Sequence, residues 1–192
     1  TVQQAVAAAK EFFALPDGIK RRSNAVDHRG YIGVGDAFMT GATRSDFKES
    51  YVIGLDLPPD DPDIAGGEPL RGCNVWPHEA PDFRRALTAY FDAIAAAGRG
   101  LLRAFATSLG QTPDFFVDKY TKPLQRMNVI HYPPHPANSA PDQYGGAAHT
   151  DYGCITLLWQ DDAGGLEVQS RDGAWLSATP IAGTDRKSTR LN

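Results

Sequence analysis

Two stretches in the first 122 residues place apolar side chains at the three- and four-residue spacing of an amphipathic helix. The first covers residues 1–15 and stops at Pro16-Asp17-Gly18, a helix-breaking turn sequence. The second covers residues 81–109, with a proline at its first position and Gly110 after its last apolar residue. We therefore predict a helix in each stretch. A shorter third helix is predicted over residues 112–120, where Thr112-Pro113 is typical of a helix start.

The second part of the chain changes to short, strand-like runs. Four of them, separated by turn residues, follow Pro123: QRMNVIHY, ITLLWQ, LEVQ and AWLSATPI. Residues 161–165 (DDAGG) predict a hairpin-type turn between the second and third runs, and short extended segments are expected at YIGV and DFKESYVIG. Residues 54–77, rich in proline, glycine and aspartate, predict a long loop. Helices followed by closely spaced strands indicate a mainly β fold with flanking helices, of the sandwich or jelly-roll type.

The composition is that of an ordinary globular protein. The 192 residues carry a formal net charge of −4 without a block of lysines or arginines, which disfavours a nucleic-acid binder. No apolar run approaches the roughly 20 residues of a membrane span, and residues 1–10 lack the apolar segment of a secretory signal. Cys73 and Cys154 are too few for a disulfide framework. We therefore expect a cytoplasmic protein with reduced thiols and with neither a nucleic-acid nor a membrane partner.

One pair of polar residues stands at the start of an apolar run, in the segment AAHTDYGCITLLWQ. If this segment is extended, His149 and Asp151 project to the same side, because side chains alternate along a strand. An imidazole and a carboxylate that converge there could share one metal ion. They could equally form a hydrogen-bonded surface pair. The spacing alone leaves both interpretations open.

The other histidines and the familiar catalytic signatures add little. A solvated position is expected for three histidines in polar loops or a proline-rich turn: His28, His78 and His135. His131 lies in a predicted strand, where a core or pocket-wall position is favoured over metal binding. The glycines of GYIGVG do not match a dinucleotide fingerprint. The sequence contains neither a Gly-x-Ser-x-Gly elbow nor a Cys-x-x-Cys pair.

Several phrases of the sequence, taken in order, resemble one known family. They are FFALPDGIK, RGYIGVG, DFKESYVIG, NVWP, HYPP, HTDYGCITLLWQDD and GLEVQSRDGAWL. Together they resemble the isopenicillin N synthase-like family of iron(II)- and 2-oxoglutarate-dependent dioxygenases, over nearly all of residues 1–184. The resemblance implies a double-stranded β-helix (jelly roll), incomplete in this chain, with an N-terminal helical region. It also implies Fe(II), 2-oxoglutarate and dioxygen, and the oxidation of a small-molecule substrate.

The resemblance assigns roles to three residues. His149 and Asp151 match the first histidine and the carboxylate of the family's two-histidine, one-carboxylate iron site. Tyr132 of HYPP matches a tyrosine that faces 2-oxoglutarate in many members. The family's third ligand is a later histidine, followed by an Arg-x-Ser that anchors 2-oxoglutarate. It has no match, because no histidine follows His149, and we expect two of the three iron ligands in this chain.

The final residues, DRKSTRLN, indicate a different origin for the end of the sequence. They are the in-frame translation of GATCGGAAGAGCACACGTCTGAAC, the start of a widely used sequencing adapter. We therefore expect residues 185–192 to be foreign. Residues 1–122 are then the end of the family's N-terminal region plus the long support helix, and residues 123–184 are the first part of the β-helix domain. On this interpretation the chain is a fragment truncated at both ends and is catalytically inactive by itself.

Three functions stay open for the parent protein. The first is a 2-oxoglutarate-dependent oxygenase of a small molecule, and the second is an oxidase of the same family that does not use 2-oxoglutarate. The third, from another class, is a non-catalytic β-helix domain that binds a ligand without iron. A zinc hydrolase is disfavoured, because no general base is placed as in the known zinc motifs. The sequence sets neither the substrate nor the oligomeric state.

Overall fold

The computed structural model describes residues 1–38 and 41–181 in full and the backbone of residues 186–188. The chain divides into two compact units, Thr1–His149 and Thr150–Asn192. The division expected from the sequence, at residues 122 and 184, stays a prediction. The expected foreign tail, residues 185–192, lies outside the described residues except for the backbone of 186–188. No helix in the described part of the chain is long and apolar enough to cross a membrane.

The helices of the first unit include the two that the apolar spacing predicts. Within the described residues they are α1 (Val2–Phe13), α2 (Asp17–Lys20), α3 (Pro62–Ala65) and α4 (Pro81–Ser108). Pro81 suits the first turn of α4, because a backbone N–H at that position would lack an intrahelical acceptor. Gly110 follows α4 with a φ of +70°, a left-handed conformation that glycine adopts without a steric penalty. α1 and α4 pack against each other through their apolar faces.

The third predicted helix, over residues 112–120, is wrong as an α-helix. The structure has a short 3₁₀ turn at Val117–Lys119. The backbone there makes mostly three-residue hydrogen bonds, for example from the Lys119 N–H to the Phe116 carbonyl at 3.0 Å. Two aromatic residues and a valine in succession have low helix propensity, which favours the shorter and tighter form.

A three-stranded antiparallel sheet completes the first unit. Its strands are β1 (Gly30–Ile32), β2 (Glu49–Gly54) and β3 (Arg126–His131), in the order β1-β2-β3. The central residue Tyr51 of β2 is paired with Tyr31 on one side and Val129 on the other. All of β2 is buried, including its polar first residues Glu49 and Ser50. A buried polar side chain destabilises a protein unless it is hydrogen-bonded, so the stability of this unit depends on the partners of these two side chains.

The core of the first unit lies between α1, α4 and this sheet. Phe12 is completely buried at its centre, and its ring stacks on Phe83 with centroids 4.6 Å apart and meets Tyr51 edge-on at 5.1 Å. Such aromatic pairs contribute beyond the apolar area that they bury. The predicted long loop between β2 and α4 is confirmed apart from the short helix α3, whose first turn Asp61 caps by accepting from the Asp63 N–H.

The described residues of the second unit include four short strands. They are β4 (Thr156–Leu158), β5 (Glu167–Gln169), β6 (Trp175–Ser177) and β7 (Arg186–Ser188). β4 pairs antiparallel with β7, and β5 pairs antiparallel with β6. The predicted hairpin between β4 and β5 is therefore wrong. Residues 159–166 separate these strands, whereas the tight connection joins β5 to β6, where the Ser170 N–H donates to the Ala174 carbonyl at 2.9 Å.

Candidate metal centre

His149 is the last residue of the first unit and follows an irregular segment rather than a strand. Its Nδ1 lies 2.8 Å from the carbonyl oxygen of Ala147. Because a carbonyl oxygen can only accept, Nδ1 is the nitrogen that carries the proton. In the neutral ring Nε2 is then unprotonated and has the lone pair that a metal ion requires. The local hydrogen bond therefore prepares this histidine for ligation through Nε2.

The segment that carries His149 is attached to the chain just before β2. Asp46 Oδ1 accepts from the Ala147 N–H at 2.9 Å, and Asp46 Oδ2 lies 2.7 Å from Nζ of Lys48. The Asp46 side chain is only 1% exposed. Two further bonds join the same segments: the Phe47 N–H donates to the Tyr144 carbonyl, and the Gln143 amide donates to the Ser45 carbonyl, both at 2.8 Å.

A cavity of about 260 Å³ lies between these two segments. Residues 41–46 form one wall, and Asp142, Tyr144, Ala147 and Ala148 form the other. The Arg44 guanidinium and the Thr43 hydroxyl both donate to the Asp142 carboxylate, at 2.7 Å and 3.0 Å. The cavity therefore adjoins the residues that immediately precede His149.

Tyr132 directly follows β3 and is packed against the same irregular segment. A Cβ at Gly145 would fall 2.8 Å from Cδ1 of the Tyr132 ring, so only glycine allows this approach. A Cβ at Gly146 would lie 3.6 Å from Nζ of Lys48 and 3.8 Å from the Tyr132 hydroxyl, which places both polar groups beside Gly146. Desolvation, followed by the negative charge of Asp46, raises the pKa of Tyr132. The hydroxyl therefore stays protonated and can donate a hydrogen bond.

Asp151 belongs to the second unit and is half buried. Residues 149–155 are irregular, with bends at residues 152–154, and β4 begins only at Thr156. The strict strand alternation that the sequence argument assumed for His149 and Asp151 is therefore wrong, because neither residue lies in a strand. Among the described residues, no group of three or more histidine, cysteine, aspartate or glutamate side chains is close enough to hold a metal ion.

The remaining histidines are placed mostly as expected. Exposed positions are confirmed for three of them: His28, His78 and His135. His131, expected in a core or pocket wall, is 45% exposed in its side chain and stacks on Phe13 with centroids 5.5 Å apart. Its Nδ1 lies 2.8 Å from Oε1 of the buried Glu49. Both cysteines carry exposed thiols.

Sequence reasoning missed the charged residues at the start of β2. Glu49 Oε2 accepts from Nζ of Lys20 and from the Tyr31 hydroxyl, each at 2.5 Å. Burial by itself raises the pKa of Glu49, but the hydrogen bonds from Lys20, Tyr31 and His131 outweigh it and hold the pKa below the ordinary value of 4.5. The signal was present in DFKESYVIG, where three charged residues directly precede an apolar strand.

Comparison with known proteins defines the class of protein. Residues 1–79 match the family described as non-haem dioxygenase in morphine synthesis N-terminal, and residues 122–187 match the 2OG-Fe(II) oxygenase superfamily. The 2-oxoglutarate-dependent dioxygenase citB of Monascus ruber is 38% identical over 188 residues, which cover 93% of this chain and 57% of that protein. The chain is therefore similar to 2OG-Fe(II) oxygenases over both of these ranges, which confirms the resemblance.

Solved structures agree with this assignment. A crystal structure of a candidate 2OG-Fe(II) oxygenase family protein from Caulobacter crescentus superposes with a TM-score of 0.82 at 35% identity, covering 98% of this chain and 60% of that one. A full-length Neurospora crassa protein, crystallised in complex with alpha-KG, gives a TM-score of 0.79 at 30% identity, covering 97% of this chain and 58% of that one. The jelly-roll fold with flanking helices is confirmed. The chain spans somewhat more than half the length of these relatives.

Proposed function

We propose that the protein is an iron(II)- and 2-oxoglutarate-dependent oxygenase of a small molecule. His149 and Asp151 are two of its iron ligands, and Tyr132 lies on the side of 2-oxoglutarate. This similarity supports the reaction class, since relatives such as citB are named 2-oxoglutarate-dependent dioxygenases. The observation that carries the assignment to residues is the bond from His149 Nδ1 to the Ala147 carbonyl, which leaves Nε2 as the ligating nitrogen.

The donor types fit iron(II). A neutral imidazole and a carboxylate are two parts of the facial triad that iron(II) oxygenases use, whereas a thiolate-rich site would favour zinc or an iron–sulfur cluster. When bound, iron(II) and 2-oxoglutarate couple decarboxylation of the keto acid to oxidation of the substrate. The chain's own residues then have simpler tasks. His149 and Asp151 would hold the metal, and the protonated Tyr132 hydroxyl would donate a hydrogen bond to 2-oxoglutarate.

A small-molecule substrate is the second part of the proposal. Crystals of the Neurospora crassa relative hold alpha-KG together with thymine or 5-formyluracil. A cavity of about 260 Å³ lined by Ala147 and Ala148 lies beside His149 and would form part of the substrate site. A cytoplasmic location also stays a prediction, supported by a content of only two cysteines and tested by cell fractionation.

Protein expressed from the complete gene tests the proposal, with His149→Ala as the variant and the exposed-loop change His78→Ala as the matched control. Wild type and the control should bind one equivalent of iron(II) and convert 2-oxoglutarate to succinate in the presence of oxygen and ascorbate. His149→Ala should lose both properties, because the metal loses a ligand. A normal iron content in that variant would show that His149 is not a ligand.

The same assay separates the alternatives. Iron binding and substrate oxidation without succinate formation would identify the oxidase that uses no 2-oxoglutarate. A folded wild type that binds no iron would leave the non-catalytic binding domain as the better description. The presence of alpha-KG in crystals of the Neurospora crassa relative favours the first outcome, succinate formation.

A further inference from the structure

We infer that Asp46 is a positioning residue for His149, acting through the backbone of Ala147. The inference rests on the proposed function, because it concerns how one iron ligand is held. Asp46 touches neither a metal nor a substrate in this role. It orients the residue that does, and it sets which nitrogen of the imidazole carries the proton.

Two hydrogen bonds to the backbone of Ala147, one on each side of its Cα, connect the two side chains. The Ala147 N–H donates to Asp46 Oδ1 at 2.9 Å. Two residues further on, His149 Nδ1–H donates back to the Ala147 carbonyl at 2.8 Å. Asp46 and His149 therefore bond to the N–H and the C=O of the same residue, and the rotation of Ala147 is restricted from both sides.

The charge of Asp46 makes this anchor stronger than a neutral one. A hydrogen bond to an ionised acceptor is shorter and about twice as strong as one between neutral groups. The carboxylate is almost wholly buried, since its side-chain exposure is 1%, and Lys48 Nζ at 2.7 Å compensates its charge. Away from water, an unpaired N–H of Ala147 or an uncompensated charge on Asp46 would cost free energy, which favours the observed arrangement.

Asp46 is not the only residue that attaches the segment carrying His149 to the segment before β2. The bonds from Phe47 to Tyr144 and from Gln143 to Ser45 hold the same two segments together and involve no carboxylate. Removing the Asp46 side chain should therefore leave the segments joined while releasing Ala147. This separation allows a positioning role to be distinguished from general support of the fold.

Three variants and two metal-free readouts test the inference. Asp46→Ala removes the acceptor, Asp46→Asn keeps an oxygen acceptor without the charge, and Asp82→Ala removes a carboxylate on α4 that is 69% exposed, as a control. The readouts are the hydrogen exchange rate of the Ala147 amide and the tautomer of His149, measured by ¹⁵N NMR at a pH where the ring is neutral. Iron(II) affinity is measured in parallel on protein from the complete gene.

Asp46→Ala should raise the exchange rate of the Ala147 amide about 10- to 100-fold, which corresponds to the loss of one charge-assisted hydrogen bond. It should also convert His149 from the Nδ1–H form to a mixture of tautomers and weaken iron(II) binding by about tenfold or more. Asp46→Asn should restore part of the amide protection, because a neutral acceptor makes a weaker hydrogen bond. Asp82→Ala should behave like wild type.

Two results would overturn the inference. One is the finding that His149 of the wild-type protein carries its proton on Nε2, a measurement that does not depend on the folding of any variant. The other is an Asp46→Ala protein whose amide exchange and tautomer are unchanged. Unchanged readouts in a protein that binds iron and forms succinate would refute the positioning role and leave the proposed function intact. Altered readouts in a protein without iron would refute the function and leave the positioning role intact.

Discussion

Glu49 Oε2 and Lys20 Nζ form an ion pair at 2.5 Å, with side-chain exposures of only 4% and 9%. The pair connects the start of the central strand β2 to the end of the short helix α2. Tyr31 on β1 donates to the same carboxylate oxygen, and His131 at the end of β3 contacts the other oxygen. One buried carboxylate thus joins all three strands of the sheet to the helical segment before it.

Replacing Glu49 should destabilise the protein strongly. Glu49→Gln leaves the Lys20 ammonium buried without a compensating charge, and breaking a buried pair in this way costs about 3–5 kcal/mol. Urea unfolding followed by circular dichroism measures the loss. The control is Glu79→Gln on the exposed pair with Arg22, which should leave the midpoint nearly unchanged. Similar small losses in both variants would contradict a stabilising role for the buried pair.

The same carboxylate should make stability fall in acid. The folded pKa of Glu49 lies below the ordinary value of 4.5, so the unfolded chain binds the proton more readily than the folded protein. The stabilisation from Glu49 is complete above about pH 4.5 and is lost as the pH falls through the lower folded pKa. Urea midpoints measured from pH 7 to pH 3 should decrease more steeply in wild type than in Glu49→Gln. Parallel curves would exclude Glu49 as the cause.

Truncating Phe12 should show that the aromatic cluster between α1, α4 and the sheet is the main source of stability in the first unit. Phe12 is 0% exposed, and Phe12→Ala should cost about 3–5 kcal/mol through lost burial and the cavity left behind. Phe38 is 63% exposed, so Phe38→Ala is a control of the same chemistry and should have little effect. Chemical denaturation measures the free energy of unfolding of both variants. Equal losses of stability would show that the core does not lie at Phe12.

A methyl group at Gly145 should displace Tyr132 and weaken the use of 2-oxoglutarate. The added Cβ would lie 2.8 Å from Cδ1 of Tyr132, so the half-exposed ring must move. If Tyr132 faces 2-oxoglutarate as proposed, Gly145→Ala should raise the KM for 2-oxoglutarate about 10- to 100-fold. In Gly18→Ala nothing lies within 4 Å of the new Cβ, and this control should keep the wild-type KM. A wild-type KM in Gly145→Ala would remove Tyr132 from the cosubstrate site.

Local patterns in the sequence were sufficient to predict the main helices, most of the strand positions and the family resemblance. The stripe of apolar residues that predicts α4 needs only a 3.6-residue period, which the chain displays whatever it packs against. The segments of β2 and β3 were likewise visible from their β-forming side chains. The candidate residues Tyr132, His149 and Asp151 could be identified from the segments HYPP and HTDYGCITLLWQDD, because a sequence motif is also a local pattern.

Only the tertiary structure decided the pairings between distant residues. Nothing near Asp46 in the sequence shows that its carboxylate meets the N–H of Ala147, 101 residues away. The partners of Glu49 lie 29 and 18 residues before it and 82 residues after it. The pairing of β4 with β7 rather than β5 is of the same kind. Such contacts depend on which segments the whole chain brings together, and the local pattern that defines a strand or a charged residue does not specify its partner.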